Sequence, residues 1–268
     1  MTKKLDLELL RAAALNKPRS YLYSHPKQEF NAIQQKKFDA MLSRYNQGEP
    51  IAYILGKKEF WSLDFFVDHN VLIPRPETEL LLEITLEHFS SNSSLKVADL
   101  GTGCGAIAIA LASEKPNWQI TALDNSPEAL KIAQQNAKNH NATNINFIHS
   151  NWLKNISQNT TFDLIISNPP YIDQNDPHLH PSTKFEPQHA LISAENGLLD
   201  LKKIINSAKQ HLKPNGMLLL EHGFQQGEAV RKILQSNNYQ QIRTYRDLAN
   251  LERATSALTP CQTSHNIF

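Results

Sequence analysis

The chain has 268 residues, 40% of them apolar, enough to bury a sizeable core in one large domain with room for a small companion. Its 27 lysines and arginines against 26 aspartates and glutamates give a net charge of +1, leaving no overall basic field of the kind that many phosphate contacts require. Two cysteines are too few for a disulfide framework or a thiolate zinc site; with no signal-peptide core and no apolar run of membrane-spanning length, the expectation is a reducing, cytoplasmic setting without membrane contact.

The opening residues carry leucines at 5, 9 and 15 and alanines at 12–14, a helical pattern that stops at Asn16-Lys17-Pro18. Residues 27–46 form a second helical pattern with Phe30, Ile33, Phe38, Met41, Leu42 and Tyr45 on the apolar side, and Gly48-Glu49-Pro50 breaks it. Residues 1–49 therefore read as a small helical unit, either a stabilising cap or a partner-binding module. Strands are expected next, over Lys58–Val67 and Val71–Ile73, with Asp68-His69-Asn70 as the turn of a hairpin linking the two parts across residues 50–75. Pro76, Glu77 and Glu79 suit the start of a helix.

The large domain occupies 76–268. Its first strand, Leu95–Leu100, runs into the turn Gly101-Thr102-Gly103-Cys104-Gly105 and then the helical Ala106–Ala112. Glycines at a helix N-terminus let backbone approach a nucleotide-like ligand, and this much would also suit NAD. The G-x-G-x-G spacing and the acidic Asp99 before the turn favour a methionine-derived cofactor, which carries an ammonium group and no pyrophosphate. The next strand ends in Asp124, placed to accept from ribose hydroxyls. Trp152, after the third strand, either flanks an adenine or is ordinary core.

Phe162–Ser167 is a buried strand ending in Asn168-Pro169-Pro170-Tyr171, where open α/β sheets place their active sites. The prolines stiffen the turn, Asn168 offers an amide oxygen and Tyr171 a flat ring. Together Asn168, Pro169, Pro170 and Tyr171 suit a planar –NH2 group, with Asn168, Pro169 and Tyr171 carrying the catalytic role. Two acceptors would take its hydrogens and help localise its lone pair as the nitrogen attacks. The long stretch that follows, with Pro177, Pro181 and Pro187, reads as a lid. Its His178-Leu179-His180 lacks a carboxylate or cysteine at ligand spacing, so no metal is expected. A helix over Leu198–Leu212, a strand over Met217–Glu221, a helix over 226–235 and two last strands, the final one antiparallel, complete a seven-stranded doubly wound sheet.

These motifs together resemble the protein-(glutamine-N5) methyltransferases of peptide chain release factors, the PrmC/HemK family. The residues that carry the likeness are Pro74–Glu79, Asp99–Gly105, Asp124, Asn168–Tyr171, Phe185-Glu186-Pro187 with Ala190-Leu191, and Glu221-His222-Gly223 with Gln226. The resemblance implies a Rossmann-like class I fold and S-adenosyl-L-methionine, leaving as S-adenosyl-L-homocysteine, bound by Gly101, Thr102, Gly103, Cys104, Gly105, Asp124, Trp152 and Asn168. It further implies that the Asn168–Tyr171 turn holds the glutamine of a Gly-Gly-Gln motif while the N-terminal helices grip the release factor. The chain departs from the family pattern at Asn151, where an aspartate is usual, and at Asn250, where a glycine is usual. The competing reading is an amino-methyltransferase for N6 of adenine, also a planar –NH2; near-neutral charge and the lack of a separate target-recognition domain speak against stable nucleic acid binding. A binding protein that has kept only the fold is a third reading, opposed by the intact Asn168–Tyr171 turn.

Overall fold

The computed structural model describes residues 3–89, 93–176 and 181–261; Ser90–Asn92 of the polar linker, and Pro177 and His178-Leu179-His180 of the long loop, lie outside them. The helical unit comprises α1 (Lys3–Leu15), the short α2 (Ser20–Ser24) and α3 (Ala32–Asn46). α3 starts later than its apolar pattern because Asn31 caps it, accepting from Gln34 N while the Gln34 side chain accepts from Asn31 N. Ile33 consequently sits on the first turn and is 82% exposed, against the expectation that it faces inward. Leu10, Ala14 and Met41 close a small core together with Ile54 of α4 (Ile51–Leu55), a helix inside the 50–75 stretch expected to be a hairpin linker. α4 is shared, since its Ala52 and Tyr53 belong to the main core.

The hairpin is real but displaced. β1 (Lys57–Phe60) and β2 (Leu63–Phe66) turn at Trp61-Ser62, both at positive φ, while Asp68-His69-Asn70 makes a separate turn in which Asp68 Oδ1 accepts from Asn70 N at 2.8 Å. Val71–Ile73 is not a strand: Val71 lies in a bend and Leu72 and Ile73 have no regular secondary structure. A two-residue hairpin normally announces itself with glycine or asparagine at positive φ; tryptophan and serine carry no such signal.

The large domain starts with a 3-10 turn, Pro76–Thr78, and α5 (Glu79–His88), followed by β3 (Lys96–Leu100), α6 (Ala106–Glu114), β4 (Gln119–Asp124), α7 (Pro127–Asn139), β5 (Ile145–His149) and β6 (Phe162–Ser167). After the long loop come α8 (Leu199–Ala208), β7 (Leu212–Glu221), α9 (Gly227–Ser236), β8 (Gln240–Arg246) and β9 (Glu252–Leu258). The strands make one seven-stranded sheet in the order β5-β4-β3-β6-β7-β9-β8, parallel except for β9, as expected of the final strand. Alternate residues serve opposite faces: Val97, Leu164, Ile166 and Leu219 pack under α5, α6 and α7, while Ala98, Ile165, Leu218 and Leu220 pack under α8 and α9. Strand order reverses between β3 and β6, where Ser167 Oγ donates to Leu100 O at 2.7 Å. The carboxyl ends of these two strands form the crevice of the doubly wound sheet. No helix among the described residues is long and apolar enough to cross a membrane.

Candidate active site

Above that crevice lies a cavity of about 290 Å³, lined by Gly101 and Gly103 after β3, Asp124 at the end of β4, Asn151 and Trp152 after β5, and Asn168 and Pro170 after β6. Gly103, at φ +57°, has nothing within 4 Å of a would-be Cβ, so its bare backbone faces open space. Its N–H donates to Asp124 Oδ2 at 2.8 Å, and Ser126 N donates to Oδ1 at 2.9 Å. Each Asp124 oxygen keeps further lone-pair capacity; burial raises this carboxyl, opposed by those same N–H groups. The Trp152 ring packs over Gly101, where a Cβ would stand 3.4 Å from it, so Trp152 is both wall of the cavity and partner of the core. Two backbone glycines, a carboxylate and a flat ring fit a nucleoside-bearing ligand.

Other expected cofactor residues shape the turn from behind and do not line the cavity. The Thr102 hydroxyl donates to Asp99 Oδ2 at 2.6 Å beneath the turn. Asp99 is fully buried with Oδ1 lacking a partner, and burial pushes its carboxyl up to about 7. It lies beneath the turn and is not among the residues that line the cavity. Cys104 is buried, its thiol pushed up to about 12 by desolvation. Gly105, at φ +87°, packs where a Cβ would fall 2.7 Å from Ile109 Cδ1 and 3.2 Å from Ala133 Cβ. Asn136 of α7 fastens the turn to the hairpin, donating to the carbonyls of Cys104 and Phe66 and accepting from Phe66 N.

The Asn168–Tyr171 turn is held firmly. Asn168 Nδ2 donates to Thr78 Oγ1 at 3.0 Å, which leaves the amide oxygen as the end available to a ligand. The Tyr171 hydroxyl donates to Glu221 Oε1 at 3.0 Å, and the Tyr171 carbonyl accepts from Gln226 Nε2 at 2.9 Å. Gly197 passes so near that a Cβ there would overlap the Tyr171 carbonyl. Desolvation raises both the Tyr171 phenol and the Glu221 carboxyl, the latter to about 7. Asn168 and Pro170 line the cavity, whereas Pro169 and Tyr171 are not among its lining residues.

The sequence did not point to Asn70–Leu72, His189, Ile192, Asp200 and Lys203, which also line the cavity. Long-range pairing brings the first group in: Tyr53 donates to Val71 O at 2.6 Å, and Glu186 accepts from Ile73 N and from Arg75 Nη2. The Phe185-Glu186-Pro187 motif thus clips the long loop to the segment after the hairpin, a role visible only once both are folded.

A seven-stranded sheet with this strand order and a ligand cavity at its switch point defines a Rossmann-like class I methyltransferase. Residues 91–261 match the family described as "Methyltransferase domain" and residues 1–56 match the "PrmC N-terminal domain". A Coxiella burnetii protein described as release factor glutamine methyltransferase is 47% identical over 94% of this chain and 90% of its own length. The Escherichia coli (strain K12) protein of the same description is 42% identical over 93% and 90%. The chain belongs to the release factor glutamine methyltransferase family. A solved methyltransferase from Pyrococcus furiosus, at 19% identity and a TM-score of 0.56 over 83% of this chain and 98% of that one, shares the fold.

Proposed function

We propose that this protein uses S-adenosyl-L-methionine to methylate the side-chain amide nitrogen of the glutamine in the Gly-Gly-Gln motif of peptide chain release factors, releasing S-adenosyl-L-homocysteine. The observation that carries the reading is Asn168: it lines the cavity shared with Gly101, Gly103, Asp124 and Trp152, with its amide nitrogen already committed to Thr78. Membership of the family supports the substrate.

Bound there, the cofactor supplies an electrophilic methyl group. Asp124 would accept from the ribose hydroxyls, Trp152 and Asn151 would hold the base, and the backbone of Gly101 and Gly103 would allow the ligand's close approach. Asn168 Oδ1 and the Pro169 carbonyl take the two hydrogens of the substrate –NH2. This interaction strengthens as the nitrogen pyramidalises and gains positive charge, so it lowers the barrier and does more than bind. Thr102, Cys104 and Gly105 act through the form of the turn. The Tyr171 ring steadies the amide plane, its hydroxyl being tied to Glu221. Alkylation makes the nitrogen acidic, so its proton leaves without a dedicated base. Incubation with S-adenosyl-L-methionine and an intact release factor should add one methyl to the Gly-Gly-Gln glutamine by peptide mass analysis. Methylation of adenine oligonucleotides with the release factor untouched would reject this reading for the N6-adenine one.

A further inference from the structure

On the side of Asn168 away from β3, β4 and β5, the sheet continues through β7, β9 and β8. β7 runs parallel to β6 with Ser167 beside Leu220, β9 runs back along β7 with Glu221 beside Ala254, and Arg246 of β8 stands beside Glu252 of β9. The turn after β7 and the loop 247–251 therefore leave the sheet at the same edge as the Asn168–Tyr171 turn. With neighbouring strands about 4.8 Å apart, that loop springs from roughly 10 to 15 Å to the side of β6. Three of the five large apolar side chains that stand exposed among the described residues gather here: Phe224, Leu251 and the fully exposed Leu248. A single exposed leucine is ordinary on a protein surface, whereas three such side chains along one edge, next to a ligand cavity, mark a contact surface.

Both segments are fixed before any partner arrives. In the loop, Asp247 Oδ1 accepts from the N–H of Ala249 and Leu251 at 3.0 Å, Asp247 N donates to Leu251 O at 2.9 Å, and Arg246 Nη1 donates to Asn250 O at 2.7 Å. Its charges are paired as well, Arg253 with Asp247 and Arg246 with Glu252, so what it offers a partner is apolar. Phe224 sits in a turn closed by Gln226 N donating to Gly223 O. The Gln226 side chain accepts from Gly223 N at 2.8 Å and donates to the Tyr171 carbonyl at 2.9 Å, which ties the Phe224 turn to the Asn168–Tyr171 turn. His222 N donates to Arg253 O at 2.9 Å and joins the same turn to the base of the loop. An apolar surface already held in one form gives up little freedom on binding, as a good anchor should. We propose that Phe224, Leu248 and Leu251 form a docking ledge for the release factor, taking an apolar face beside its Gly-Gly-Gln segment while the glutamine enters the cavity. This rests on the reading of a release factor as the substrate. The residues after β3, β4 and β5 are those assigned to the cofactor, so the ledge side is the one left for a protein. An interface of ordinary size covers about 800 Å² on each partner, enough to span the turn and the ledge together.

The test uses the full chain at saturating S-adenosyl-L-methionine, with an intact release factor and with a Gly-Gly-Gln peptide too short to extend beyond the cavity mouth. Phe224→Ser combined with Leu248→Ser should raise KM for the release factor roughly tenfold with kcat kept, and should leave methylation of the peptide at the wild-type rate. Leu248→Met, which keeps an apolar side chain at the tip of the loop, should retain the wild-type KM. If Phe224→Ser disturbs the fold, Leu248→Ser alone decides the matter, because its fully exposed side chain supports no core. A wild-type KM for the release factor in the double variant overturns the proposal, and so does an equal loss on peptide and protein, which would place the effect in the Asn168–Tyr171 turn. Sedimentation covers the remaining occupant: a wild-type dimer that the double variant splits, with methylation of the release factor unchanged, gives the ledge to a second copy of this chain and likewise overturns it. The two failures are separable. A wild-type protein that methylates neither release factor nor peptide rejects the reading of the substrate and the ledge with it, whereas one that methylates both, beside variants with unaltered KM, rejects only the ledge.

Discussion

Asn168 and Tyr171 are bound from behind, which sets what their substitutions should do. Asn168→Ala should leave a folded protein that binds cofactor but transfers methyl roughly 10²-fold more slowly, the usual scale for one preorganised transition-state hydrogen bond; Asn168→Asp should retain more, since it still accepts and attracts developing positive charge. Single-turnover rates check both, and wild-type turnover in the alanine variant would reduce the turn to pocket shape. Tyr171→Phe keeps the ring and should transfer methyl faster than Tyr171→Ala, yet it strips Glu221 of its one bonded donor. It should therefore lower stability by roughly 1–3 kcal/mol, a cost read from denaturant titration and not from the rate. Asp99 gives a pH signature. Its folded value near 7 lies above the ordinary 3.8, so its contribution to stability is fully present below about pH 4 and is lost as pH rises through 7. Asp99→Asn stays neutral throughout, so its Tm minus that of the wild type should increase from pH 4 to pH 8. A difference that does not change with pH would mean the carboxyl is ionised in the fold at both ends.

At the scale of elements, the glycine turn separates two jobs that its sequence presents as one. Gly105→Ala meets Ile109 and Ala133 as well as a left-handed backbone, so it should destabilise the domain by more than the roughly 1–2 kcal/mol of a lone left-handed residue. Gly103→Ala suffers only the backbone strain but puts a methyl into the cavity, so it should lose cofactor affinity out of proportion to stability. Calorimetry of S-adenosyl-L-homocysteine binding beside thermal unfolding separates them, and equal effects of the two would contradict the division. The sheet was legible in sequence because its strands are continuous apolar runs buried on both faces, as Leu164–Ile166 and Leu218–Leu220 show, and because glycine, proline and asparagine punctuate their ends. Asn250, standing where the family usually has glycine, takes a left-handed conformation at φ +61°, with Asp247 Oδ1 accepting from the N–H of Ala249 and Leu251. Local pattern failed where the outcome depends on distant partners. Ile51–Leu55 becomes helix by packing between two cores, the hairpin turns on residues without turn chemistry, and His189 sits on the loop that Glu186 anchors to Arg75 and Ile73, while Lys203 reaches the cavity from α8.

At the scale of the whole molecule, the helical unit is joined to the catalytic part by more than a linker. Ile54 of α4 completes the helical core while Ala52 and Tyr53 of the same helix enter the main core, and Gly48 abuts the Phe185 ring of the long loop. Deleting residues 1–47 would strip Ile51, Ile54 and Leu55 of their partners, so lost activity in such a truncation could come from a damaged core and would say little about docking. A surface change is the better probe of the proposal that this unit grips the release factor. Tyr23 is 65% exposed and Ile33 is 82% exposed, neither contributes to the core of Leu10, Ala14, Met41 and Ile54, and large exposed apolar side chains are the ones that anchor protein partners. Tyr23→Ala combined with Ile33→Ser should leave Tm nearly unchanged and should not alter methylation of a short Gly-Gly-Gln peptide, which reaches only the cavity. For the intact release factor, kcat/KM should fall roughly tenfold, the loss of more than about 1 kcal/mol that marks an interface anchor, with the change in KM and not in kcat. Equal loss on peptide and protein would place the effect in the catalytic part. No loss on either would mean that these two side chains anchor nothing, and that any grip by the helical unit runs through another of its faces.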